Sequence, residues 1–412
     1  MVKVSVIIPV YKVEAYLPAC MDSVLGQTLR DIEVICIDDA SPDNCPAVLD
    51  AYAAKDPRVK VIHLPENHQQ GYARNRGIET AEGKYLYFLD SDDMITPDAL
   101  EKLSACADRD ELDSIFFDSE AIFESEELRK KNAAGYQERR HGLYEDKVYT
   151  GRELYDAFIW QREWNCYVQR QFWRREFIVE NDVRFPEATE HEDEFFPFKG
   201  LLLAKRARYM PEAFFLRRYR ENSVMTRAPH PKDFHGYFVN FCLMVDFVED
   251  HGIFGHSIDV NVVHMYERMS MFYSLFVRQG GGEDWFKTED QKARYRFYTY
   301  AHKIGIYSKE RLRGAKIDYP EGTRFWIYGA GVIGSRAYEL LLAGNYVVEG
   351  FLVTKKGNNP DILFGRKVLE IADAEVKDDQ IVMIAANGYF QDQMKAVAEE
   401  KGWRYCFYPV GR

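Results

Sequence analysis

The chain has 412 residues, a formal net charge of −12, and a composition that is 46% hydrophobic and 15% aromatic. That much apolar material argues against long disorder and suffices for two or three domains, each with its own core. The acidic balance argues against a general phosphate-backbone binder, so no nucleic-acid partner is expected, although a local basic patch stays open. No uninterrupted apolar run reaches about 18 residues, so no transmembrane segment is expected; peripheral contact with a membrane stays open. Met1-Val2-Lys3-Val4-Ser5 enters a strand at once, leaving no room for a signal peptide. The seven cysteines are scattered, without a CxxC pair, and Cys36 falls inside a predicted strand. Reduced thiols in a cytoplasmic protein fit this better than a disulfide framework or a zinc site.

Residues 1–120 alternate strand and helix. The first predicted strand covers residues 4–8 and is closed by Pro9; residues 14–25 carry apolar side chains at helical spacing. Residues 32–37 form a second strand, ending in acid at Asp38 and Asp39. A helix over 43–54, a strand over 59–63 and a helix over 71–79 follow. The next strand, Tyr85-Leu86-Tyr87-Phe88-Leu89, runs straight into Asp90-Ser91-Asp92-Asp93, and Met94-Ile95-Thr96-Pro97 leads to a helix. Residues 114–117 read as a fifth strand. Near-continuous apolar strands separated by helices imply an α/β domain with a mainly parallel sheet covered on both faces.

Residues 121–150 are polar and read as an excursion. From Thr150, a candidate cap, helices are expected through Trp160 and on to Glu180. An acidic cluster, a helix rich in Leu and Ala, and a strand around 213–220 come next. Residues 231–315 place aromatics at helical intervals, broken at Gly280-Gly281-Gly282, and residues 322–412 restart the strand–helix alternation. The expected division is an α/β domain over 1–228, a helical linker over 229–320 and a Rossmann-like domain over 321–412.

In an open α/β sheet, ligands collect beyond the carboxyl ends of the strands. Asp90 and Asp92, delivered there together, make a hard-oxygen site suited to Mg²⁺ or Mn²⁺. The alternative is a turn with Thr96 capping the helix that starts at Pro97. Three further stretches decide between them: Ile7-Ile8-Pro9-Val10-Tyr11, Ile37-Asp38-Asp39, and Gly71-Tyr72-Ala73-Arg74-Asn75-Arg76-Gly77. In this order they closely resemble the family 2 glycosyltransferases, inverting enzymes of the GT-A fold that use nucleotide sugars. The resemblance covers roughly residues 2–225.

The resemblance implies a pocket for a UDP-sugar. Pro9, Val10 and Tyr11 match the loop against base and ribose, with Glu14 close by. Asp39 matches the carboxylate that accepts the uracil N–H, and Arg74 and Asn75 match a pair near base and phosphates. Asp90, with Ser91, would reach the ribose and share the metal with Asp92, which would ligate the Mn²⁺ or Mg²⁺ bridging the diphosphate. Arg220 and Ser223, in Tyr219-Arg220-Glu221-Asn222-Ser223, match residues that reach the diphosphate, with Arg218 competing for the arginine role. His230 is a further candidate contact. A Gly-rich loop after the first strand, expected of sugar-nucleotide pyrophosphorylases, is missing here.

Glu190-His191-Glu192-Asp193-Glu194 follows Val183-Arg184-Phe185-Pro186-Glu187, similar to the family segment before its catalytic base. Asp193 is the matching residue, with Glu192 as fallback. Crowded acids raise one another's proton affinity, which suits a base near neutral pH; the alternative is an acidic helix start. The acceptor, a glycan or polyol hydroxyl that could be lipid-linked, is expected between Trp160 and Trp173. There Trp160, Trp164, Tyr167 and Trp173 could stack on sugars or pack a core. The implied role is bacterial surface polysaccharide synthesis at the inner face of the membrane. A non-catalytic sugar-nucleotide binder or scaffold is the alternative, and homo-oligomerisation stays open.

Near the carboxyl end, Phe325-Trp326-Ile327-Tyr328 leads into Gly329-Ala330-Gly331-Val332-Ile333-Gly334, a GxGxxG in strand–turn–helix context. For NAD, an acid should close the following strand, where the chain has Val353-Thr354-Lys355-Lys356. This module departs from the dinucleotide pattern. NAD-dependent activity, another nucleotide and a structural role all stay open.

Overall fold

The computed structural model describes residues 2–132, 139–220, 229–253, 255–303, 319–320, 322–343, 346–357, 359, 361–363, 366–386 and 388–408. The chain divides into two compact units, residues 1–253 with 261–295, and residues 254–260 with 296–412.

The first unit opens with β1 (Val4–Val10), α1 (Leu17–Leu25), β2 (Ile32–Asp38), α2 (Cys45–Lys55), β3 (Val59–His63), α3 (Gln69–Thr80) and β4 (Tyr85–Phe88). These strands are parallel, with Val4 of β1 opposite both Ile32 and Tyr85. Every residue of β1, β2 and β4 is buried, as continuous apolar runs demand of a sheet covered on both faces. Helix α3 lies directly on β1. A Cβ on Gly77 would meet Ile7 Cγ2 at 2.3 Å, so only glycine allows that approach.

There follow β5 (Met94–Ile95), α4 (Ala99–Arg109), β6 (Ser114–Phe123), α5 (Glu126–Asn132), α6 (Gly151–Trp160), β7 (Gln171–Arg174), α7 (Arg175–Glu180), α8 (Phe195–Leu203) and β8 (Ala207–Tyr219). Thr150 does cap α6, in a reciprocal capping box with Glu153. The helices expected on to Glu180 are interrupted by a strand. β7 inserts antiparallel between β4 and β6 and buries Gln171, Phe172 and Trp173. Sheet pairing and burial there outweigh the local helical pattern. The eight-stranded order is β3-β2-β1-β4-β7-β6-β8-β5, so the sheet is mixed and not uniformly parallel. β8 begins at Ala207, earlier than the expected 213, and runs parallel to β6.

Three helices follow, α9 (Pro231–Asp250), α10 (His256–Arg278) and α11 (Glu289–Lys303). Among the described residues, no helix is long and apolar enough to cross a membrane.

The second unit holds β9 (Arg324–Tyr328), α12 (Val332–Ala343), β10 (Val347–Val353), β11 (Ile362–Leu363), β12 (Arg366–Glu370), β13 (Gln380–Ile384), α13 (Gly388–Glu400) and β14 (Tyr405–Phe407). Its order is β11-β12-β10-β9-β13-β14, parallel except for the β11–β12 pair. Phe325, Ile327, Phe351, Ile381 and Met383 fill its core.

Candidate active site

β4 ends at Phe88 and Leu89 is still fully buried, so Asp90 emerges at the carboxyl edge of the sheet. Its carboxylate is held from two sides: Arg74 Nη2 donates to Oδ1 at 2.8 Å and Gln169 Nε2 to Oδ2 at 2.5 Å. Asp92 Oδ2 accepts from Arg220 Nε at 2.7 Å. Burial and the neighbouring Asp90 charge push Asp92 above the usual carboxylate range, with Arg220 opposing. Arg218 donates from its backbone N–H to Asp93 Oδ1 at 2.7 Å and from Nε to the Asp92 carbonyl at 2.9 Å. Both arginines lie over the Tyr16 ring. Ser91, between the acids, is buried.

Two neighbouring carboxylates, one destabilised as an anion, form a donor set that fits a divalent cation. Among the described residues, no cluster of three or more His, Cys, Asp or Glu side chains could enclose one. An ion held by Asp90 and Asp92 would therefore complete its coordination with phosphate oxygens and water.

Pro9 and Val10 are buried at the end of β1, while Tyr11 is exposed. Asp39 is buried and accepts the backbone N–H groups of His68 and Gln69 at 2.7 and 2.8 Å. It fastens the entrance to α3 and keeps further lone pairs on both oxygens. Glu14 Oε2 accepts the Asn44 N–H at 2.7 Å, just before α2. Asn75 is turned to the backbone: its Nδ2 donates to the Phe185 carbonyl and Glu187 Oε1, both at 2.9 Å, and its Oδ1 accepts the Phe185 N–H at 3.0 Å. That amide ties α3 to the segment before the acidic cluster.

Arg74 joins the two halves of the site. Its buried guanidinium pairs with Asp90 and, through Nη1, with Glu192 Oε1, and lies 5.3 Å from the Phe185 ring centre. Glu194, in turn, pairs with Arg268 of α10 at 2.5 Å. Asp193 stands between these two satisfied carboxylates. Among the described residues it has no hydrogen bond or ion pair within 4 Å. Burial, then the charges of Glu192 and Glu194, push it up to about 7, against Arg74 and His191. Burial outweighs either neighbouring charge taken singly, where the sequence pointed to like-charge repulsion.

The acidic loop is clamped between two helices. A Cβ on Gly71 of α3 would meet the Pro186 carbonyl at 2.2 Å, and one on Gly236 of α9 would meet the Glu190 carbonyl at 2.2 Å. His191, at φ +60°, donates or accepts at Asp233 across 3.1 Å and stacks on Tyr237. Asn240 Nδ2 holds the His191 carbonyl at 3.0 Å. A left-handed conformation at a non-glycine residue persists only where its surroundings fix it, commonly at functional sites. Gln169, Arg268 and the α9 contacts were not foreseen, since no local pattern marks them.

His230 caps α9, its Nδ1 accepting the Lys232 N–H at 3.1 Å. Ser223 lies outside the described residues. Of the aromatic candidates, Trp173 is wholly buried, Trp164 packs on Tyr155, and Tyr167 lies against Arg217; Trp160 is exposed. Beside the acidic loop is a recess of about 340 Å³, lined by Gln69, Thr189, Glu190, Lys232, His235 and Trp285 among others. His235 is pushed down to about 4 by burial, so its ring there is neutral.

The model for glycosyl transferase family 2 matches residues 5–178. Those residues belong to glycosyl transferase family 2. The matched segment holds Asp39, Arg74, Asp90 and Asp92 and stops before Asp193. The chain is 32% identical over 225 residues to the uncharacterised glycosyltransferase YibD of Escherichia coli strain K12, covering 55% of this chain and 63% of that one. It is 29% identical over 231 residues to the succinoglycan biosynthesis protein ExoO of Rhizobium meliloti strain 1021, covering 54% and 62%. The matches thus span under two thirds of these relatives. Among solved structures, it is similar to S. aureus TarS 1–349 in complex with UDP-GlcNAc, at 24% identity, TM-score 0.49, 70% of this chain and 77% of that one.

Proposed function

We propose that the first unit is an inverting glycosyltransferase that moves a hexosyl group from a UDP-sugar to a hydroxyl of a glycan or polyol. The reading rests most on Asp193, an unpaired carboxylate at about 7, linked through Glu192 and Arg74 to Asp90. That link supports reading Asp193 as the base of a transfer whose diphosphate lies by Asp90. The acceptor oxygen attacks the anomeric carbon, the bond to UDP breaks with its electron pair, and Asp193 takes the hydroxyl proton. Arg220 and Arg218 face the leaving group's negative charge. A Mn²⁺ or Mg²⁺ held by Asp90 and Asp92 supplies further charge neutralisation when bound. Asn75 acts as a positioning residue, and the product belongs to a bacterial surface polysaccharide.

Calorimetric titration of UDP tests the donor site. Binding is expected to require Mn²⁺ and to weaken at least roughly tenfold in Asp92→Asn. Metal-independent binding, unchanged in the variant, would remove Asp92 from that role.

The acceptor is proposed to sit in the recess beside the acidic loop, where Trp285 offers a stacking face and Lys232 and Glu190 offer polar contacts. Trp285→Ala is expected to raise the acceptor KM roughly tenfold, with donor KM unchanged. An unaltered acceptor KM would move the acceptor elsewhere.

A further inference from the structure

The second unit contains a cavity of about 500 Å³ that the transfer reaction does not use. It opens beyond the carboxyl ends of β9, β10 and β13. The chain leaves β9 for β10 on one side and later places β13 on the other, so the crevice lies where strand order reverses. Ligands of open parallel sheets bind at such points.

The lining divides into three chemistries. The turn after β9 is too tight for side chains: Gly329 has φ +125°, its Cβ would meet the Ala385 carbonyl at 2.4 Å, and a Cβ on Gly334 would meet the Gly329 carbonyl at 1.9 Å. At Gly331, by contrast, a Cβ would meet nothing within 4 Å, so the turn's backbone borders open space. Val353, Phe390 and Met394 supply an apolar wall suited to a base and ribose. At the rim, Thr354, whose Oγ1 lies 2.9 Å from the Tyr328 hydroxyl, is followed by Lys355.

A free ribose diol is held in this position by a carboxylate. Here the strand delivers an exposed ammonium, which repels no phosphate and cannot accept from a hydroxyl. We infer that the second unit carries its own nucleotide site, selective for a ligand with a phosphate facing Lys355 and against NAD. The ligand class that meets this condition is a 2′-phosphorylated dinucleotide, since a nucleotide sugar carries the same free ribose diol as NAD.

Calorimetric titration of the full chain with NADPH, NADH and UDP-GlcNAc, on wild type, Lys355→Glu and Gly331→Asp, tests the inference. Lys355 is exposed, and Gly331 has neither a left-handed φ nor a close neighbour for Cβ, so both variants should fold. NADPH binding at least roughly tenfold tighter than NADH, and weakened as much in both variants, assigns a 2′-phosphorylated dinucleotide. A second equivalent of UDP-GlcNAc, lost in both variants while the first persists and with no NADPH binding, overturns this choice of ligand. No NADPH binding together with a single, variant-insensitive UDP-GlcNAc equivalent overturns the inference. NADH binding as tight as NADPH, unchanged in Lys355→Glu, overturns it equally.

Discussion

Asp193→Asn is expected to lower kcat by roughly 10³-fold while leaving UDP affinity intact. The substitution keeps the shape of the side chain and removes only its ability to take a proton. Wild-type kcat/KM should fall as pH drops through about 7, where Asp193 becomes protonated. The residual rate of the variant should lack that limb. Stability should move the opposite way. Asp193 binds its proton more tightly folded than unfolded, so its ionised form costs folding free energy above about pH 7, and that cost fades as pH falls through 7. An uncharged amide escapes it. At pH 8 the variant should therefore unfold later in urea, with a gain on the order of 2 kcal/mol, and the gain should shrink by pH 5. Full turnover in the variant would dismiss Asp193 as the base. A loss of both turnover and stability would mean that the side chain holds the loop instead.

The strands carrying acids at their ends were legible because burial on both faces writes itself as an apolar run and the acids interrupt it. Asp90 and Asp92 could be singled out that way, and so could the glycine turn after β9, whereas Asp193 was named by resemblance to the family segment before its base. Two of their partners, Arg74 and Arg220, were legible as well, but other contacts around the acids were not. Gln169 reaches Asp90 from 79 residues away and Arg268 reaches Glu194 from 74, contacts that no periodicity records. β7 was misread as helix because four residues are too few to show a period of two against helical flanks. α9 read as a linker because aromatics at helical spacing say that a face is buried without saying against what. In the structure that face holds Gly236 and Tyr237 against the acidic loop.

Arg74→Met is expected to destabilise the first unit by about 3–5 kcal/mol, the usual cost of removing one partner from a buried ion pair. The Arg74 side chain is only 2% exposed and serves two carboxylates, Asp90 and Glu192. Methionine replaces the stem, strands Glu192 and leaves Asp90 with Gln169 alone. The sign with pH follows: a buried carboxylate left without its cation favours the protonated form, so the penalty is largest at high pH and is relieved as pH falls. Chemical denaturation at two pH values measures this directly. Arg74→Lys should recover little, since a single ammonium cannot reproduce a planar fork reaching two partners. Adding Glu192→Gln to Arg74→Met should restore part of the stability by removing one stranded charge, yet restore no transfer. The guanidinium ties Asp90, at the strand end, to the acidic loop through Glu192. Recovery of activity in the double variant would reduce Arg74 to a folding residue, and its link between the two halves of the cleft would lose its catalytic meaning.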